Sequence, residues 1–349
     1  MGAIRRLDFG GACLADDYAV PLSDELRRAL DGKAKPLGSL GRIEELAIQL
    51  GLIQGTLHPR IVDPAVLVFA GDHGAVASGV SAYPSTVTAA MVRTYLAGRA
   101  AVNLFAQQAG ARVVVVDAGV AAELPAHPGL IAAKVGWGTQ NWVRGPAMTL
   151  AEADRCLRQA TTIVDRLVDQ GCTVLALGEM GIGNTASAAL LAHKVAGPGL
   201  EGMIGRGAGL DDAGLARKRA AVLQGAARTP ARLAPMEALA EYGGFEIAML
   251  TGAILRAAER RVCVVIDGVI VTAATLLAHA IRPDCLAACV FAHRSAEPGH
   301  DAMLAHLGAM PLLDLGMRLG EGSGAALALP LLRAAVAVLS DMADLREVT

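Results

Sequence analysis

Glu321 is a lone carboxylate in the stretch LGEGSGAALA (319–328), set between glycines and ahead of an apolar run, ALALPLLRAAVAV. Glycine on both sides lets the backbone come close to a ligand and removes side chains that would block it. A glutamate placed this way can act as a general base in a closed pocket. Read by itself it is equally a solvated loop residue before a helix. A second carboxylate, Glu179, opens GEMGIGNTASAALL (178–191), which runs from strand through glycine loop to helix. Gly181 and Gly183 free the loop, Asn184 or Thr185 can cap the helix, and exposed N–H groups at a helix start suit a phosphate. The segment is neither a P-loop nor a GxGxxG fingerprint, and a plain capped turn is the other reading. A third segment, GRGAGLDDAGLARKR (205–219), offers Gly205, Arg206 and Gly207 and then a cationic helix bearing Lys218. A lysine there can meet a phosphate as a point charge. Taken alone, the segment reads as a flexible loop before a solvated basic helix.

A different chemistry is conceivable from Asp72 and His73 in GDHGAVASGVSAYPS (71–85), joined by Asp267 and by His293 and His300 in AHRSAEPGH (292–300). These could be sketched as a metal-dependent hydrolase. No HxH, HExxH or HxxxD spacing supports it, and histidines hydrogen-bonded at loop bases are the commoner outcome.

The elements that must carry these groups read as α/β. AVLVFA (65–70), RVVVVDAG (112–119), CTVLALGE (172–179), VCVVIDG (262–268) and LAACVFA (286–292) are continuous apolar runs rather than alternating ones. That pattern marks strands buried on both faces, as in a parallel sheet. Helical patterns lie between them at 86–110, 149–171, 184–195 and 243–261, giving the strand–helix–strand order of an α/β fold. A polar or glycine residue follows the last apolar position of most of these runs. The candidate groups therefore converge on the carboxyl edge of a sheet, where open α/β sheets bind ligands. Residues 22–54 read as two helices broken at Pro36-Leu37-Gly38, and 299–349 as mostly helical. The expected organisation is a small helical domain from 1–59 and 293–349 and a large α/β domain over 60–292.

Composition narrows the function classes. The 349 residues are 54% hydrophobic and 18% charged, enough for a sizeable core, and the net charge of −2 without a basic block argues against a nucleic-acid partner. The six cysteines (13, 156, 172, 263, 285 and 289) form no CxxC pair, so neither a zinc site nor a disulfide framework is expected, and a reduced cytoplasmic setting fits. The start, MGAIRRLDFGGACLADDY, has no signal-type apolar run and no Ser or Thr at position 6 for myristoylation. The longest apolar stretches fall short of the ~20 residues that span a bilayer, so a soluble protein is expected.

The segments gain specificity together. KPLGSLGRIEELA (35–47), FAGDHGAVASGVSAYPSTVT (69–88), GEMGIGNTASAAL (178–190), GRGAGLDDAGLARK (205–218), GGFEIAMLTGAIL (243–255), IDGVIVTAATLLA (266–278), and AHRSAEPGHDAMLAHLG with PLLDLGMRLGEGSGAALALPLL (292–332) resemble the nicotinate-nucleotide:dimethylbenzimidazole phosphoribosyltransferase family in order, over nearly the whole chain. The resemblance implies transfer of the phosphoribosyl group from nicotinate mononucleotide to 5,6-dimethylbenzimidazole or a related azole, with inversion at the anomeric carbon and no cofactor or metal. It implies a Rossmann-like parallel sheet, a smaller helical domain and a homodimer. It assigns Glu321 as the base and Glu179 as a pocket carboxylate that positions the acceptor. It gives the donor phosphate to Gly181, Gly183, Asn184, Thr185, Gly205, Arg206, Gly207 and Lys218, with Arg318 as a further donor contact. It gives the aromatic base a slot made by Ser81, Tyr83, Pro84, Met180 and Leu319. Many members read YPQEVTAQMV where this chain reads YPSTVTAAMV, so Ser85, Thr86 and Ala90 replace larger polar side chains near that slot and bear on which azole is accepted. A non-catalytic nucleotide binder would have no chemical need for both carboxylates.

Overall fold

Continuous apolar runs become strands here because each face of the sheet has its own core. The computed structural model describes residues 19–348 except Pro198. Its strands are β1 (Ala65–Gly71), β2 (Arg112–Gly119), β3 (Leu130–Ala132), β4 (Val174–Met180), β5 (Cys263–Ile266) and β6 (Cys289–Phe291). All pairs are parallel, in the order β3-β2-β1-β4-β5-β6. Ala65, Leu67 and Phe69 of β1 face one core, shared with helices Leu150–Asp169, Asn184–Ala196, Phe245–Glu259 and Val269–Ile281. Val66, Val68 and Ala70 face the other, shared with helices Thr86–Leu96, Ala101–Gln108 and three helices from the chain termini. Adjacent side chains of a strand point to opposite faces, so burial on both removes the polar alternation.

Helices from both ends of the described chain pack together. Helices Ala19–Asp31 and Arg42–Gln54 join Ser323–Ser340 in the second core through Leu26, Leu30, Leu46, Leu50, Ala325 and Leu329. Helix His300–His306 instead sends Met303 and Leu304 into the first core. Helix Ser323–Ser340 is long and apolar enough by composition to cross a membrane, but half of it is packed inside the protein.

Four local expectations need correction. The pattern at 86–110 is two helices, Thr86–Leu96 and Ala101–Gln108, because the chain turns at Gly98 with φ +71°. The run at 286–292 is strand only over Cys289–Phe291, and Pro283–Ala288 is a 3-10 turn. Edge strand β3 was not foreseen: three half-exposed residues leave little apolar signal. Helix Pro235–Tyr242 was not foreseen either. The five described cysteines are free and buried. Cys13 and the readings on the first eighteen residues lie outside the described residues.

Candidate active site

Strand order reverses between β1 and β4, and a cavity of about 420 Å³ opens at the carboxyl edge beside that point. It is walled by residues 179–185 after β4, 268–271 after β5, Ser295 and Glu297 after β6, and 318–321. Helix Thr86–Leu96 and the loop before it, together with Gly207 and Ala208, complete the wall.

Glu321 is held there in an unusual backbone state. Gly320, Glu321 and Gly322 all have positive φ, at 82°, 66° and 83°. A glutamate in that region costs about 1–2 kcal/mol, so the surroundings must hold it. Asp267, at the end of β5, accepts from the N–H groups of Gly322 at 3.2 Å and Ala325 at 2.9 Å, capping helix Ser323–Ser340 from outside. From below, Gly178 of β4 lies under the Glu321 carbonyl, where no side chain would fit. Glu321 is 7% exposed, and its Oε2 has no hydrogen-bond partner. Burial raises its proton affinity and the Asp267 charge adds to this, while the Tyr95 hydroxyl and the Val102 N–H facing it act in the opposite sense. Tyr95 makes no hydrogen bond of normal geometry there. Sequence reasoning missed it, since only packing brings residue 95 to 321.

Glu179 is tied to the same loop. Asn184 Nδ2 donates to its Oε2, and the Glu321 N–H approaches its Oε1 at 3.4 Å. Burial, with Asp267 and Glu246 nearby, pushes its carboxyl up to about 8 against the pull of Asn184. Two carboxyls in one low-dielectric site do not ionise together easily, and burial favours the protonated form of both. A stability prediction follows in sign. From about pH 4.5, where the unfolded carboxyl ionises, to about 8, the folded state holds a proton the unfolded state has lost, so stability falls as pH rises. Glu179→Gln is expected to raise Tm over wild type by several degrees more at pH 8.5 than at pH 5. Calorimetric melts at both pH values test this, and an equal difference at the two would count against it.

The expected phosphate residues divide. Gly183, with φ +95°, is the N-cap of helix Asn184–Ala196, and neither Asn184 nor Thr185 caps it through its side chain. Asn184 serves Glu179, whereas Thr185 Oγ1 accepts from Lys218 Nζ at 2.8 Å. Lys218 is not on a solvated face: it is 1% exposed and donates also to the Gly205 carbonyl at 3.0 Å. A Cβ at Gly207 would sit 3.5 Å from its Nζ, so Gly207 lies directly over the ammonium. Arg318 lines the cavity and donates to the Gly207 carbonyl at 3.3 Å. Arg206 turns away from the cavity to Asp212 and the Leu210 carbonyl, and Gly205 contributes its carbonyl to Lys218 rather than a surface to the cavity.

The slot divides likewise. Ser81, Tyr83, Met180 and Leu319 line the cavity. Pro84, Ser85 and Ala90 do not; Val87 and Met91 do. Residues 87 and 91 are one helical turn apart and share a face, which puts Thr86 and Ala90 on the exposed side. The substitutions at 85, 86 and 90 therefore fall outside the wall. That i,i+4 spacing was the available signal for Val87 and Met91.

Asp72, His73, Asp267 and His293 do not assemble into a metal site, and no group of three or more potential ligands converges among the described residues. His73 pairs with Glu246 at 2.5 Å and lies 3.1 Å from Ser187 Oγ. Asp72 accepts from the Ala121 N–H, and Asp267 caps a helix 3.6 Å from His293. His300 is bound to Thr272 and to the Ser295 N–H. Both ring nitrogens of His293 and Asp72 Oδ1 make no hydrogen bond, but no ligand cluster forms around them among the described residues, and the hydrolase reading has no support.

An α/β sheet in this strand order, with a buried ammonium behind a glycine at its carboxyl edge, suits a transferase of phosphorylated sugars. The chain matches a phosphoribosyltransferase family over residues 18–349. It is 53% identical over 333 residues to a nicotinate-nucleotide–dimethylbenzimidazole phosphoribosyltransferase of Aromatoleum aromaticum, covering 94% of this chain and 97% of the relative. The same named enzyme of Ralstonia nicotianae is 55% identical over 326 residues, 92% of each chain. The crystal structure of CobT from Thermus thermophilus superposes with a TM-score of 0.90 at 45% identity, over 94% of this chain and 98% of that one. The chain belongs to the nicotinate-nucleotide–dimethylbenzimidazole phosphoribosyltransferase family.

Proposed function

We propose that this protein transfers the 5-phosphoribosyl group from nicotinate mononucleotide to 5,6-dimethylbenzimidazole or a related azole. The products are nicotinate and the α-ribotide. The observation that carries the reading is one cavity lined by two buried carboxylates, Glu179 and Glu321, and by apolar side chains including Met91, Met180 and Leu319, with Lys218 behind Gly207 at its side.

The donor's pyridinium is already a good leaving group, so little acid catalysis is needed. The azole is a weak nucleophile carrying an N–H. Glu321 takes that proton as the other ring nitrogen attacks the anomeric carbon, so that no charge builds up on the ring. Its unpartnered Oε2 fits an acceptor waiting for an N–H. Glu179 accepts from the Glu321 N–H and so helps hold the Glu321 backbone. Attack opposite the departing nicotinate inverts the anomer from β to α. Gly181, Gly183, Thr185, Gly207, Lys218 and Arg318 receive the donor phosphate in this proposal, and the face made by Val87, Met91, Met180 and Leu319 receives the flat base. Such a face discriminates weakly between similar rings, since one methyl is worth about 1–3 kcal/mol.

The segments 1–59 and 293–349 are proposed as a smaller helical domain, in a cytoplasmic homodimer. Chromatography of the products with nicotinate mononucleotide and a panel of azoles tests the activity. Nicotinate and an α-ribotide are expected together, and no turnover with any azole from folded protein would reject it. Lys218→Ala should raise the donor KM about 10–100-fold with a smaller change in kcat. An unchanged donor KM would remove Lys218 from the phosphate site.

A further inference from the structure

Lys218 is enclosed, yet both atoms that accept directly from its ammonium, Thr185 Oγ1 and the Gly205 carbonyl, are uncharged. A buried ammonium with no counter-charge gives up its proton readily. The acid that adjoins it is Glu297, on the segment after β6. Its Oε2 rests so close to Gly205 that a Cβ at 205 would strike it, so carboxylate and ammonium flank the same glycine. Glu297 also lines the cavity and faces the Gly207 N–H and Arg318. The carboxylate and the ammonium form no contact ion pair, so they act on each other through weakly screened space.

We propose that Glu297 is the counter-charge that keeps Lys218 protonated, and so a positioning residue for the donor phosphate that acts through the lysine. The inference rests on the phosphoribosyl-donor reading of the cavity. A carboxylate beside a phosphate site is otherwise a cost, because like charges repel; its place here is explained if the cation it maintains is worth more than the repulsion it adds. The groups facing this pair are few. Burial brings the Lys218 amine down to about 8, with Glu297 opposing that fall. Glu297 itself is raised by burial against the pull of Lys218, Arg318 and the Gly207 N–H. Arg206, on the loop between them and solvent, is committed to Asp212.

The sign follows. Lys218 is charged below its pKa and loses its charge, and its grip on the donor, as pH rises through about 8. Removing the Glu297 charge lowers that pKa further. If it falls by about one unit, the protonated fraction drops roughly fivefold at pH 8 but hardly changes at pH 6.5. Glu297→Gln should therefore weaken binding of nicotinate mononucleotide roughly fourfold more at pH 8 than at pH 6.5, relative to wild type. Glu297→Asp should restore the wild-type pH dependence. Comparing two pH values within each protein removes any uniform effect of relieved repulsion or a lost contact.

Isothermal titration calorimetry of intact protein with nicotinate mononucleotide, in buffers of different ionisation heat, reads affinity and proton uptake together. Glu297→Gln should take up more protons per donor at pH 8 than wild type, because more of its Lys218 amines are neutral before binding. Glu297→Ala gives the same comparison if Glu297→Gln does not fold. An equal change in affinity at both pH values, or no greater proton uptake by the variant than by wild type at pH 8, would overturn the inference alone. Wild-type protein that neither binds nor turns over nicotinate mononucleotide would overturn the functional reading and this inference with it.

Discussion

Glu321→Gln is expected to lower transfer about 10²–10⁴-fold, the usual worth of a positioned general base, while donor affinity stays within about threefold of wild type. The amide matches the carboxylate in shape and can adopt the same backbone state, so the left-handed run from Gly320 to Gly322 need not change. What is lost is the ability to accept a proton from the azole. In the proposed reaction the donor phosphate is served by residues around Gly207, on a different wall of the cavity, with Lys218 behind that glycine. Single-turnover release of nicotinate measures the first quantity and calorimetric donor binding the second. Turnover near the wild-type rate would sink the assignment of Glu321 as base. An equal loss in donor affinity would show that the side chain holds the loop rather than the proton.

Gly178→Ala should be nearly as damaging, although residue 178 touches no substrate in the proposed reaction. A Cβ there meets the Glu321 carbonyl carbon at 2.5 Å and the Gly322 nitrogen at 2.6 Å. Both are backbone atoms and cannot rotate aside. Nor can β4 retreat, because Gly178 is in register with Val68 of β1 and the strand is also paired to β5. The 320–322 loop must move instead, against the hydrogen bonds that Gly322 and Ala325 N–H donate to Asp267. A displacement of about 1 Å at a catalytic group costs on the order of 10²-fold in rate, and the overpacking costs about 1–3 kcal/mol of stability. Steady-state rates and thermal melts read the two effects. A variant with wild-type rate and Tm would mean that the loop yields freely and that its strained geometry does not matter to function.

Together these outcomes separate the proton acceptor from the scaffold that aims it. In the proposed reaction Glu321 supplies the chemistry, and Gly178 and Asp267 supply its place. Asp267 had been open to reading as a metal ligand, and its actual use shows why an acid at the end of a buried strand is ambiguous in sequence. The same side chain can hold a metal or satisfy the free N–H groups of a helix start, and only what lies opposite decides.

The sequence by itself determined the layered α/β architecture and the neighbourhood of the site. Runs such as AVLVFA and RVVVVDAG carry no polar alternation, which is the direct mark of a strand covered on both faces. The glycine-framed Glu321 and the Gly181–Gly183 loop declared themselves because glycine preference is a local property of backbone geometry. Only the tertiary structure decided what each of these groups meets. Tyr95 faces Glu321 across more than two hundred residues of chain, and Lys218, legible as a solvated cation on a basic helix, is enclosed beside Thr185 and Glu297. Ser85, Thr86 and Ala90 looked like pocket residues by position, yet the helix turns Val87 and Met91 inward instead. The physical reason is common to all three. Strand burial and glycine conformations are written within a few neighbouring residues, whereas the partner of a charge or the inward face of a helix is set by the packing of segments far apart in the chain.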